Sequence, residues 1–235
     1  MKIRKYFTGV LLFLLTLNGY GRGVQEYVKS SYDSGDVKLV WQDFVADIYV
    51  SEAEDTAVFR CAKYFADDVR RVAGKTPALK HSVAGLSKHA VIVGTLQHSE
   101  VIQNLVKTGK IDVSRVEGKW ETFLVQVVSN PLPGVEEGLV VVGSDRRGAI
   151  YGMFDISENM GVSPWYWFAD VHPEKQTALI VENGAYSEGP PSVKYRGIFI
   201  NDEMWSLTPW ARKTFAPHEP EGLGPTTYAK IFRKL

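Results

Sequence analysis

The sequence predicts an α/β or α+β fold, a sandwich of one sheet with helices packed on it. Three observations carry that prediction. Runs of β-branched residues alternate with apolar stripes of helical spacing through the first 190 residues. Two of those runs are neighbours in the chain, as a hairpin or adjacent pair would be. Beyond a Gly-Pro-Pro break comes VKYRGIFI, apolar on both faces and polar only at its C-terminal tip. Such a strand suits the parallel sheet of a (β/α)₈ barrel, where functional groups collect at strand C-terminal ends.

The elements follow in order. VKLVW (Val37 to Trp41) and ADIYV (Ala46 to Val50) read as short strands. From Glu52 to Ala73, the residues Val58, Cys61, Phe65, Val69 and Val72 recur three or four apart, which makes one helix stripe. Gly74 and Pro77 stop it. HAVIVGTL (His89 to Leu96) is a buried strand by its β-branched run. Ser99 is placed to cap a short helix through Val106, ended by Gly109. TFLVQVVS (Thr122 to Ser129) and LVVVGS (Leu139 to Ser144) flank a Pro/Gly-rich turn at Asn130 to Gly138. Arg147 to Met160 is helical, with Ile150, Met153, Phe154 and Ser157 on one face and Gly161 at its end.

YSEGPPS (Tyr186 to Ser192) is the natural domain boundary, because Gly189-Pro190-Pro191 neither extends a helix nor joins a sheet interior. The strand VKYRGIFI comes next, then a polar, proline-bearing loop, then TTYAKIFRKL. In that last segment Tyr228, Ile231, Phe232 and Leu235 form a helix stripe that is complete where the sequence stops. Two readings follow: the helix docks on the preceding domain, or the chain is truncated.

Composition narrows the class. Of 235 residues, 45% are hydrophobic, and 27 basic residues balance 27 acidic ones. That is globular composition, with no electrostatic footprint for nucleic acid or an anionic membrane. Lys2, Arg4 and Lys5 precede an apolar run from Tyr6 to Leu17, and Gly19-Tyr20-Gly21 offers small residues two apart. The run is shorter than the ~20 residues a membrane span needs, so 1–21 reads as a cleavable signal peptide. The expected destination is secreted or periplasmic, with no membrane attachment after cleavage. The lone Cys61 makes no internal disulfide and reads as a buried, inert thiol on a helix face.

Chemistry is sparse until late in the chain. VVVGSDRRGAIYG imitates a phosphate loop in the spacing of Gly143 and Gly148. Ala149-Ile150, however, stands where Lys-Ser/Thr is needed. A structural strand-to-helix turn is the better reading. Histidines 81, 89, 98, 172 and 218 show no metal-ligand spacing, and no G-x-S-x-G occurs. No metal or other cofactor is expected. SPWYWFADVHPEK packs Trp165, Tyr166 and Trp167 together, either as core filling or as a platform for a sugar ring. In KYRGIFINDEMW the strand-like run ends in Asn201, Asp202 and Glu203, and then in Trp205. Strand alternation puts Asn201 and Glu203 on one side and Asp202 on the other.

Three of these segments together resemble glycoside hydrolase family 115, the xylan α-1,2-glucuronidases. They are FADDVRRVAGKTP, GSDRRGAIYGMFDISENMGVSPWYWFADV and KYRGIFINDEMW. The resemblance implies an N-terminal α/β domain over 22–189, like the domain preceding the barrel in hexosaminidases. The first βα unit of a truncated (β/α)₈ catalytic barrel would follow over 190–235. It implies inverting hydrolysis of (4-O-methyl-)glucuronic acid side chains from glucuronoxylan. Asp202 would be a catalytic or substrate-orienting carboxylate and Asn201 a hydrogen-bond partner of the sugar. Trp165, then Trp167, would approach the site, and Glu203 is a weaker substrate-binding candidate. The partner carboxylate would lie on a later barrel strand. The chain alone is therefore expected to be inactive and poorly soluble.

Two other readings remain: a complete, non-catalytic carbohydrate-binding or adaptor domain of the bacterial envelope, and a piece of another barrel glycosidase. The sequence leaves a homodimer of the full-length protein open.

Overall fold

The computed structural model describes residues 26–203, 205–215 and 223–234, so the expected signal peptide lies outside the described residues. The first elements are β1 (Val28–Lys29), β2 (Val37–Trp41), β3 (Phe44–Val45), β4 (Asp47–Val50), α1 (Thr56–Ala73), β5 (Leu79–Lys80), β6 (His89–Thr95) and α2 (Glu100–Lys107). Then come β7 (Phe123–Ser129), β8 (Glu137–Gly143), α3 (Arg146–Asn159), β9 (Leu179–Val181), β10 (Ala185–Glu188), α4 (Leu207–Phe215) and α5 (Pro225–Lys234).

The strands make two sheets where one was expected. The larger has the order β10-β7-β8-β6-β4-β5. Its β8, β6, β4 and β5 are parallel, and β7 and β10 join antiparallel at one edge. The smaller, β1-β9-β2-β3, is antiparallel throughout. It depends on β9, which returns from far along the chain to lie between β1 and β2, and local patterning does not announce such a pairing.

Alternation along the large sheet decides what each face covers. Val91, Val93, Val125, Leu139 and Val141 pack with Val58, Phe65 and Val69 of α1, with Met153 and Ile156 of α3, and with the small sheet. Their neighbours Ile92, Leu124, Val128, Val140 and Val142 face the other way, against Ile102 and Leu105 of α2 and the loop residues Ile111, Val113 and Val116. The domain is thus a mixed sheet covered on both faces, which is why its strands read as continuous apolar runs.

The helices begin where side chains satisfy their first amides. Asp55 caps α1, accepting from the Ala57 amide at 2.8 Å, so the helix starts four residues after the expected Glu52. Gly74 ends it at φ 74°, in the left-handed conformation glycine adopts most readily. Ser99 caps α2 as its position predicted. Cys61 is half-buried at the rim of the main core, less enclosed than expected.

The largest departure follows the boundary. KYRGIFI belongs to no sheet in the structure: residues 189–203 contain no strand, and Phe199 is 90% exposed. A parallel strand exists through the ladder of its neighbours, and among the described residues none pairs with this segment. The expected barrel unit is therefore not seen as a strand. The following loop was expected to be irregular, yet it holds α4, whose Ala211 is buried and whose Trp210 stacks on Phe168 at 5.5 Å. In α5, Ile231 is buried and Tyr228 is exposed, and the side chains of Phe232 and Leu235 lie outside the described residues.

Candidate functional site

Asn201, Asp202 and Glu203 form one hydrogen-bonded turn in front of α4. Ser206, just before the helix, would ordinarily cap it. Its hydroxyl instead donates to the Asn201 carbonyl at 2.8 Å and accepts from the Glu203 amide at 3.0 Å. Asp202 takes over the capping, accepting from the Thr208 amide at 2.8 Å and from the Thr208 hydroxyl. The helix start favours an anion there through its unpaired amides and its dipole. The Thr208 hydroxyl, the Thr208 amide and then Ser206 hold the Asp202 carboxyl below its ordinary value, so it is ionised at neutral pH.

The side-chain amide of Asn201 donates to Glu203 Oε1 at 2.7 Å. These two residues are i and i+2, so the face-sharing expected from strand alternation survives without a ladder. All three tip residues are exposed, and Trp205 beside them is 91% exposed.

The aromatic segment sits in a turn after α3. Arg71 of α1 lies 5.2 Å from the ring centres of both Tyr166 and Trp167 and is paired with the fully buried Asp68 at 3.2 Å. Lys230 of α5 lies over the Trp167 ring at 4.3 Å. Trp167 is thereby engaged on the protein, whereas Trp165 is 51% exposed. Of the two indoles, Trp165 is the more exposed.

The phosphate-loop lookalike has a structural explanation. A Cβ at Gly143 would fall 2.2 Å from the Ala149 nitrogen, and one at Gly148 would fall 2.2 Å from the Thr122 carbonyl oxygen. Both glycines let backbone approach backbone. Among the described residues no group of three His, Cys, Asp or Glu side chains is placed to hold a metal ion. No described helix is long and apolar enough to cross a membrane.

Sequence reasoning passed over Arg196 and Glu121. Arg196 lies inside the motif that carries Asn201–Glu203, and its guanidinium donates to the Glu121 carboxylate. The two are 75 residues apart, and no local pattern links them.

Residues 188–235 match the family described as glycosyl hydrolase family 115, a span that includes the whole Asn201–Glu203 turn. The chain carries family 115 sequence. It is also 35% identical to a solved structure, BtGH115A, a family GH115 4-O-methyl-α-glucuronidase with specificity for decorated arabinogalactans. That match covers 85% of this chain and 24% of BtGH115A, at a TM-score of 0.69. The family 115 likeness thus extends through the sheet domain, and the chain spans about a quarter (24%) of that relative's length. A mutant β-hexosaminidase from Streptomyces plicatus matches at 12% identity and TM-score 0.38, over 69% of this chain and 26% of its own. A β-N-acetylhexosaminidase from Streptomyces coelicolor matches at 11% and 0.39, over 70% and 25%. No curated protein sequence matches the chain.

Proposed function

We propose that this chain contributes to a glycoside hydrolase that removes glucuronic acid side chains, with or without a 4-O-methyl group, from a decorated polysaccharide. The observation that supports this reading best is the likeness to BtGH115A across most of the chain, together with the family match over the Asn201–Glu203 turn. Glucuronoxylan is the backbone implied by the motifs, and decorated arabinogalactan is the substrate class of the relative. An α-linked uronic acid is common to both.

In this reading residues 190–235 are the first βα unit of a (β/α)₈ barrel, and KYRGIFI becomes a strand when its neighbours are present. Inverting hydrolysis needs a proton-bearing acid and an ionised base about 6.5–9.5 Å apart on opposite faces of the sugar. Asp202, held ionised by Thr208 and Ser206, suits the base or a sugar-orienting role and not the general acid. Asn201 and Glu203 stand beside it to hydrogen-bond sugar hydroxyls, and Trp165 offers a stacking face. A cleaved leader over 1–21 takes the protein out of the cytoplasm, where such polysaccharides are met.

One carboxylate cannot act as both acid and base, so the purified 235-residue chain should release no glucuronic acid by itself. It should retard glucuronoxylan or decorated arabinogalactan in affinity electrophoresis more than the same polymers stripped of uronic acid. Trp165→Ala should weaken that retardation. Equal retardation of stripped polymers would replace this proposal with a general carbohydrate-binding module. Release of glucuronic acid would show that a second carboxylate of this chain completes the site.

A further inference from the structure

The helix start that imitates a phosphate loop is built around another object, the Glu121-Thr122 dipeptide. Asp145, the N-cap of α3, uses Oδ1 for the Gly148 amide at 2.9 Å and Oδ2 for the Glu121 amide at 2.8 Å. Thr122 donates its amide to the Ser144 hydroxyl at 3.0 Å and accepts the Ser144 amide at 2.9 Å. Held this way, Glu121 adopts φ +49°, in the left-handed region that a non-glycine residue enters only when its surroundings impose it. Its side chain is 8% exposed, a position that requires partners for a carboxylate.

The partners come from two directions. Arg147 of α3 reaches Glu121 Oε1 at 3.0 Å. Arg196 reaches Oε2 and also donates to the Tyr151 hydroxyl at 2.8 Å and to the Val193 carbonyl at 2.6 Å. Its guanidinium lies about 6 Å from the rings of Trp120 (6.0 Å) and Tyr151 (5.9 Å). Gly189 closes the same corner, because a Cβ there would fall 2.7 Å from the Thr122 hydroxyl. Around Arg196 the segment has no ladder, and Tyr195 and Phe199 project into solvent.

We propose that Glu121, seated by the start of α3, is a clamp for Arg196, and that Arg196 is a positioning residue for the Asn201–Glu203 turn five residues on. The clamp rests on the structure alone, and the claim that it serves a sugar site rests on the proposed function. An arginine is suited to the task, since its planar guanidinium donates through Nη2 to the Glu121 carboxylate and the Tyr151 hydroxyl and through Nη1 to the Val193 carbonyl.

Backbone ¹⁵N relaxation on the whole chain tests this. In the wild type, residues 194–203 should show order parameters near the ~0.85 of rigid backbone. In Glu121→Gln and Arg196→Ala they should fall below ~0.6, with residues 123–143 unchanged. Arg196→Lys should restore part of the order, because it keeps the charge and loses the fork. Values already below ~0.6 in the wild type, or unaltered in Arg196→Ala, overturn the clamp. Glu121 is buried, so Arg196→Ala is the decisive variant if Glu121→Gln disturbs the sheet. Methyl α-D-glucuronide titrated into both proteins should bind the Arg196→Ala variant about tenfold more weakly, the cost of ordering a loosened turn. Equal binding with the turn loosened removes the positioning role. No binding to the wild type removes the sugar reading and leaves the clamp to be judged by the order parameters.

Discussion

Replacing Gly148 with alanine separates a structural glycine from a ligand-binding one. The added methyl would fall 2.2 Å from the Thr122 carbonyl oxygen, where ordinary contact begins at 3.4 Å. The neighbour is backbone, so α3 and the start of β7 must part by more than about 1 Å, and no side chain can swing aside. That scale of overpacking costs about 3 kcal/mol. The Thr122 carbonyl also accepts from the Ser144 amide at 2.9 Å, and losing that bond adds about 1 kcal/mol. Alanine's better helix propensity returns about 1 kcal/mol. The balance is a loss of about 3 kcal/mol, or about 6–12 °C in melting temperature for a domain of this size. Thermal unfolding by near-UV circular dichroism, backed by urea midpoints, measures it. Gly197→Ala is the control, because nothing lies within 4 Å of that Cβ, and it should stay within about 0.5 kcal/mol. If Gly148→Ala melts with the wild type or above it, propensity alone governs the site. The close-approach account of this loop then fails.

Two further predictions concern groups buried outside the turn. The Tyr27 hydroxyl donates to Asp155 Oδ2 at 2.6 Å, and its ring stacks on Tyr186 with centres 4.1 Å apart. Burial and the Asp155 carboxylate push that phenol far above its ordinary value, so it should stay protonated in alkaline ultraviolet titration until the fold opens. Tyr27→Phe should cost about 1.5–3 kcal/mol in urea unfolding, and an unchanged midpoint would refute the bond's importance. His89 accepts the Lys38 amide at Nδ1 (3.3 Å), and burial first, then Lys38, lower its pKa against the opposing pull of Glu136. The folded state therefore prefers neutral His89. Its contribution is complete above the unfolded value of about 6.5 and is lost as pH falls through the lower folded value. Between about pH 7 and pH 5, His89→Gln should flatten the fall in urea midpoint, and an identical slope in both proteins would count against the assignment.

The legible parts of this fold are those whose physics is local. β6 and β8 could be read directly, because a strand covered on both faces must be apolar at every position, and His89–Thr95 and Leu139–Gly143 are nearly so. Caps were equally readable: Ser99 and the glycine after α1 do what their positions implied. The second sheet was hidden because β9 is three residues long and gains meaning only between β1 and β2. KYRGIFI shows the converse. Its composition is a strand's, but composition supplies only half of a strand, and no ladder partner for it lies among the described residues.

The candidate site divides along the same line. Asn201, Asp202 and Glu203 were found from a motif, and their alternation persists as the Asn201–Glu203 hydrogen bond. Alternation along a strand carried no hint that Asp202 would cap α4, since that helix was not expected. Capping and the role proposed for Asp202 make the same demand of this carboxylate: it must be anionic and oriented. The Glu121–Arg196 contact works from the other end of the segment. Between the two, a stretch of chain without a ladder is tied at Arg196 and at Asp202, and the turn is held by hydrogen bonds of side chains rather than by a sheet.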